Sequence, residues 1–84
     1  MILPASFPPS ILLINARSLW NKLDELRVLA ANSKPDCIAV TETWFNTALP
    51  DGILSIPNYI LFRADRCNRI GGGVCLYVQL FTTH

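Results

Sequence analysis

Two residues of unlike chemistry stand twenty-seven positions apart, each at the end of an apolar run: Asn15 closes "SILLIN" and Glu42 follows "CIAVT". An amide and a carboxylate brought side by side suit a hard divalent cation. Magnesium takes one or two protein carboxylates and keeps waters and substrate phosphate oxygens for the rest of its octahedron. Such an ion polarises a phosphoryl oxygen and stabilises a leaving oxyanion. A plainer reading also fits both residues, and acidic and amide residues at strand ends are common in loops generally: Glu42 caps the turn that follows, and Asn15 ends a strand because asparagine tolerates turn conformations. The two readings part on one point, whether the elements that carry these residues lie next to each other.

The spacing of apolar residues supplies those elements. "SILLIN", from Ser10, is a short continuous apolar run, the pattern of a strand buried on both faces. From Ser18 the period changes: Leu19, Leu23, Leu26 and Ala30 recur at steps of four, three and four and share one stripe of a helix. Ser18 is placed to act as its N-cap. The helix must stop near Asn32 or Ser33, because Pro35 disfavours the α conformation at Lys34. A second buried strand follows, about Asp36 to Glu42. Strand, helix and strand within some thirty residues make a βαβ unit, whose crossover sets the two strands parallel. Parallel strands finish at the same sheet edge, where open α/β sheets place their ligand sites. Asn15 and Glu42 would then be neighbours.

The second half changes character. Pro50, Asp51, Gly52 and Pro57 break residues 46–58 into turns. "YILFRAD" and "GVCLYVQLF" then flank the loop "RCNRIGGG", which reads as an antiparallel hairpin of Tyr59 to Ala64 with Val74 to Leu80. The first nine residues, with Pro4, Pro8 and Pro9, are an irregular lead without the basic region or the unbroken apolar helix of a signal peptide.

At 84 residues there is room for one domain, and 51% hydrophobic against 15% charged residues is rich in apolar side chains for so short a chain. A net charge of +1 steers no anionic partner globally, so such a partner must meet a local cluster. Arg63, Arg66 and Arg69 are that cluster. Cys37, Cys67 and Cys75 have no metal-ligand spacing and read as small buried hydrophobes in a reduced compartment. No apolar stretch approaches the ~20 residues of a membrane-crossing helix. Trp20 and Trp44 read as core or rim packing, with stacking on a base as the alternative. The run Gly71 to Gly73 lacks the form of a phosphate-binding loop and more simply relieves φ constraints at a hairpin or bulge.

Four blocks carry a resemblance: "NARSLWNKLDEL" (Asn15 to Leu26), "KPDCIAVTETWF" (Lys34 to Phe45), "PNYILFRADR" (Pro57 to Arg66) and "GGGVCLYV" (Gly71 to Val78). In this order and spacing they resemble the endonuclease/exonuclease/phosphatase superfamily, and within it the apurinic-endonuclease-like domain of non-LTR retrotransposons. The resemblance implies a four-layered α/β sandwich, two face-to-face sheets with helices outside, and metal-dependent hydrolysis of phosphodiesters. The chain reads as its N-terminal part, a βαβ unit followed by a β-hairpin, with residues 1–9 as the lead and 10–84 as a partial domain lacking the C-terminal portion. In that family the asparagine of the first block lies near the metal and scissile phosphate, and the glutamate after the second strand is the metal ligand. These positions are Asn15 and Glu42, the residues already selected at the strand ends.

The resemblance further implies Mg²⁺ or Mn²⁺ as cofactor, DNA as partner with no membrane, fusion to a reverse transcriptase in the intact form, and an intracellular protein with access to the nucleus. Arg63, Arg66 and Arg69 would contact the DNA backbone, since arginine contacts to phosphate position a protein without reading sequence; the alternative is a solvated hairpin tip with Asp65 neutralising one arginine. The family's later blocks, with a further asparagine and aspartate at the phosphate and an Asp-His pair that activates water, are not in these 84 residues. His84 matches none of its motifs. Without a general base in reach of a water, hydrolysis is not efficient. The expectation is a piece of a retrotransposon-type nicking endonuclease that is inactive alone. The alternatives are a non-catalytic remnant with weak DNA or protein binding, or a phosphatase or lipid phosphodiesterase of the same superfamily. The exposed apolar run in the hairpin predicts marginal stability or association.

Overall fold

In the computed structural model, residues 10–65 and 72–80 are described. They form β1 (Ile11–Asn15), α1 (Leu23–Ser33), β2 (Cys37–Thr41), β3 (Tyr59–Ala64) and β4 (Val74–Gln79), with one-turn 3-10 helices at Leu19–Lys22 and Asp51–Leu54. The class is α/β, as the periodicity predicts. The four strands make one sheet in the order β1-β2-β4-β3. β1 and β2 pair in parallel from Ile11 opposite Cys37 to Asn15 opposite Thr41, while β4 is antiparallel to both β2 and β3. The hairpin therefore enters through its second strand, which leaves β3 at the edge.

The leucine stripe does what its spacing requires. Leu19, Leu23, Leu26 and Ala30 are all buried, and they meet Ile38 and Val40 of β2 and Cys75 and Tyr77 of β4 in one core that Ala16, Phe45, Leu54 and Ile56 complete. The buried Tyr77 hydroxyl donates to the Leu54 carbonyl at 2.7 Å, which spares the core an unpaired polar group. Asp24 and Glu25 stand in the first turn of α1, where carboxylates complement the helix dipole. The helix ends at Ser33, because Lys34 leaves the helical region for φ 49° and its N–H closes the last turn on the Ala30 carbonyl at 2.9 Å. Ser18 departs from expectation. It precedes the 3-10 turn, but with φ 80° it makes no capping bond, and its Oγ instead accepts from Asn21 Nδ2 at 3.3 Å.

The expected burial of β1 and β2 on both faces is corrected by the structure. Leu12, Ile14, Ile38, Val40, Cys75, Tyr77 and Leu61 face the helical layer and pack in or against the core. The alternate residues do not: Leu13 is 74% exposed and Phe62 57%, with Ile11, Ile60, Val74 and Leu76 beside them in the register. A continuous apolar run announces that both faces of a strand are apolar. It does not say that both covering layers are at hand, and the described residues supply one.

Candidate functional site

The parallel register sets Asn15 opposite Thr41, so Asn15 and Glu42 stand at the same rim of the sheet. Because β4 opposes both neighbours, β3 runs the same way as β1 and β2, and the row Asn15, Thr41, Val74, Ala64 crosses the whole sheet there. Asn15 is exposed and Glu42 half-buried.

Beyond the strand ends, backbone hydrogen bonding continues through the loops. Ala16 N–H donates to the Thr41 carbonyl, Ser18 N–H to Glu42 and Leu19 N–H to Thr43, each at 2.9 Å. From the other side Thr43 N–H donates to the Gly73 carbonyl at 3.3 Å and Trp44 N–H to Gly72 at 2.9 Å. The Lys22 ammonium donates to the Ala16 carbonyl. Here the backbone is strained. Of the non-glycine residues with left-handed φ among those described, Arg17 (48°), Ser18 (80°), Glu42 (58°) and Trp44 (58°) all belong to these two loops, against two elsewhere. Gly72 (79°) and Gly73 (83°) approach from β4, so these two glycines do supply the φ freedom expected of the triplet. Each strained non-glycine residue costs on the order of 1–3 kcal/mol and persists only where the surroundings over-determine it, a pattern concentrated at functional sites. Thr43 sits fully buried in this clamp, and its Oγ1 finds no partner among the described residues.

The Glu42 carboxylate is held at one oxygen. Trp44 Nε1 donates to Oε1 at 3.1 Å, and the described residues give Oε2 no partner. Among the described residues no group of three or more His, Cys, Asp or Glu side chains could hold a metal ion. One carboxylate oxygen, half-buried and open, at the rim that also carries the exposed Asn15, fits a magnesium-type ion that draws its remaining ligands from water and phosphate, and does not fit a closed protein cage.

Arg63 is occupied within the molecule. Its guanidinium donates to Asp65 Oδ1 at 3.2 Å and Oδ2 at 2.5 Å, to Asp51 Oδ1 at 2.9 Å, and to the carbonyls of Leu49 (2.7 Å) and Asn46 (2.9 Å). It also stands 5.3 Å from the centre of the Phe45 ring. The bonds to Asp65 raise its pKa further. An arginine so engaged ties the loop after Phe45 to the end of β3, and the geometry leaves it no donor aimed at a phosphate outside. The neutralisation by Asp65 weighed against DNA contact is present, though in a half-buried setting rather than at a solvated tip. Arg66 and Arg69 lie outside the described residues, as do Cys67 and His84. Burial pushes the Cys75 thiol up to about 12, so at neutral pH it is a protonated hydrophobe and no nucleophile. Cys37 is half-buried and free.

Sequence reasoning missed the Trp44 contact with Glu42 and the organising role of Arg63. The second had a signal: Arg63 and Asp65 are two apart, which puts them on one side of an extended strand. The first had none, because a tryptophan turned back on residue i−2 requires left-handed backbone that nothing in "TETWF" announces.

No protein-family model matches the sequence, and comparison with the curated proteins finds no match. Solved structures do share the fold. An AP endonuclease from Archaeoglobus fulgidus aligns at TM-score 0.70 and 20% identity over 83% of this chain and 27% of its own. The 3′ phosphatase NExo from Neisseria, bound to a product DNA hairpin, aligns at 0.72 and 20% over 83% and 27%. AP endonuclease LMAP from Leishmania major aligns at 0.69 and 19% over 84% and 24%. The chain thus spans about a quarter of the length of each. At these identities the likeness establishes a fold: a four-stranded mixed sheet with one helix, matching part of a larger α/β architecture. In the described residues no helix is long and apolar enough to cross a membrane.

Proposed function

We propose that this chain is part of a divalent-metal-dependent phosphodiesterase domain acting on DNA, of the endonuclease/exonuclease/phosphatase type, and that residues 10–84 form the first portion of that domain. The observation that carries the reading is the register that ends β1 and β2 together, with Asn15 and Glu42 at one rim of a sheet shared with AP endonucleases and a 3′ phosphatase. Glu42 would hold Mg²⁺ or Mn²⁺ through its open oxygen, and Asn15 would orient the phosphate or its neighbours. The chemistry that such an ion would supply there is polarisation of a phosphoryl oxygen and stabilisation of the leaving oxyanion. The chain's own part is to position: the backbone bonds between loops 16–19 and 41–44 hold the segment that carries Glu42 against the end of β1, at the rim that Asn15 shares.

The finer reading, a retrotransposon-type enzyme that nicks target DNA to expose a 3′-hydroxyl and works beside a reverse transcriptase, rests on the "TETWF" and "RADR" blocks. The same reading takes the 84 residues to be inactive by themselves, since the described residues bring no histidine to the rim to serve as general base. A second reading, a remnant without catalysis, is favoured by the absence of a metal-holding cluster among the described residues. The experiment is nicking of supercoiled plasmid with Mg²⁺ by a longer chain that contains these residues. Relaxation of the plasmid that is lost in Glu42→Ala supports the assignment, and undiminished nicking by that variant removes Glu42 from the mechanism. No nicking in any longer chain favours the remnant.

A further inference from the structure

Trp44 is 44% exposed, so burial does not explain where it lies. Its backbone is strained at φ 58°, and the strain is enforced from two directions, by Gly72 accepting from its N–H and by the bonds that Ser18 and Leu19 give to Glu42 and Thr43. The outcome of that enforcement is local and specific. The indole turns back over two residues and donates its only N–H to Oε1 of Glu42 at 3.1 Å, leaving Oε2 open at the rim that also carries Asn15. A tryptophan that served only as rim packing would have no need of left-handed backbone or of a carboxylate partner. A carboxylate ligand does need such a partner: hydrogen bonds to the non-coordinating atom fix the rotamer and hold the ligating oxygen in place, and their loss typically costs about 10–100-fold in metal affinity.

We propose that Trp44 is a positioning residue for the Glu42 carboxylate, whose indole N–H fixes Oε1 so that Oε2 alone takes a divalent cation. The proposal rests on the metal reading of Glu42 given above. It goes beyond that reading by assigning the mode of binding, one oxygen rather than two, and by giving a function to an exposed aromatic residue that the catalytic scheme leaves without one. Neither Trp20 nor any other described donor can substitute, since Trp44 supplies the one hydrogen bond this carboxylate receives among the described residues.

The test uses the 84-residue chain and Mn²⁺ as probe, in a Trp20→Phe background that leaves Trp44 as the sole tryptophan; Trp20 is exposed and outside the site. Free Mn²⁺ counted by its paramagnetic resonance gives the Kd of every variant, and saturable quenching of Trp44 fluorescence places the bound ion in the chain that keeps the tryptophan. Two replacements remove the donor: Trp44→Phe, and the isosteric benzothienylalanine in which sulfur stands for the N–H. The expected result is that both weaken Mn²⁺ by about ten-fold or more, with unchanged far-UV circular dichroism. Equal Kd for the tryptophan and benzothienylalanine chains overturns the proposal, whatever Trp44→Phe does, because the ring and not its donor is then what matters. This failure is distinguishable from failure of the metal reading. If Glu42→Gln abolishes binding while the isostere does not, the metal site stands and the positioning role falls. If no version binds Mn²⁺, the two fall together.

Discussion

An arginine with 13% of its side chain exposed, paired with an aspartate at 5%, is a different object from an arginine at a loop tip. Arg63 meets Asp65 through two nitrogens and reaches Asp51 and two carbonyls besides. Removing one member of a buried pair strands the other, at a cost of about 3–5 kcal/mol. A core of this size supplies on the order of 3–5 kcal/mol in all. Arg63→Met is therefore expected to leave most of the chain unfolded in buffer, as read by near-UV circular dichroism and urea titration. Asp65→Asn should be milder, because Arg63 keeps Asp51 and the carbonyls of Asn46 and Leu49. Full stability in Arg63→Met would mean that this guanidinium is held loosely and is free to serve a phosphate after all. The spacing of three arginines could not reveal this, since spacing records charge and not which carboxylate claims it.

The βαβ unit was legible at the level of elements, because two strong signals agree on it: the stripe Leu19, Leu23, Leu26, Ala30 and the stop at Pro35. The pairing of β3 with β4 was legible for similar reasons, from two apolar runs around a glycine-bearing loop. The insertion of β4 beside β2, with β3 left outside, was not, since it depends on contacts between residues far apart in the chain. Nor was the detail of the helix ends. Ser18 looks like a cap by type and is not one by geometry, and Lys34 closes α1 in a conformation that glycine adopts freely and lysine does not. That last feature carries a prediction. Lys34→Gly relieves the left-handed strain at φ 49° while leaving the N–H that bonds to Ala30, so it is expected to raise stability by about 1 kcal/mol. Thermal unfolding monitored at 222 nm checks it, and a lower midpoint would show that the lysine side chain contributes more than its backbone costs.

For the molecule as a whole, the decisive feature is the face of the sheet that the described residues leave uncovered. Ile11 and Leu13 of β1, Ala39 of β2, Val74 and Leu76 of β4, and Ile60 and Phe62 of β3 alternate with the core residues and look away from the helix. Four strands about 4.8 Å apart, in register over the five residues of β1 and β2 at about 3.3 Å each, give a face of roughly 19 by 17 Å, or about 300 Å² in projection. That is as large as the patches monomers usually expose, and well below the ~800 Å² per partner of a standard stable interface. The magnitude argues for weak, reversible pairing of two copies face to face, as sheets pack in a sandwich, and against an obligate dimer. Sedimentation of the 84-residue chain should accordingly show a weight-average mass that rises with concentration. Leu76→Lys, which puts a charge between Ala39 and Phe62 at the middle of the face, should hold the mass at that of one chain without loss of helix signal. A wild-type mass that stays monomeric across the same range, with no binding of a hydrophobic dye, would mean that the face is shielded by residues other than those described, and that the apolar rows of β1 to β4 are covered within a single copy.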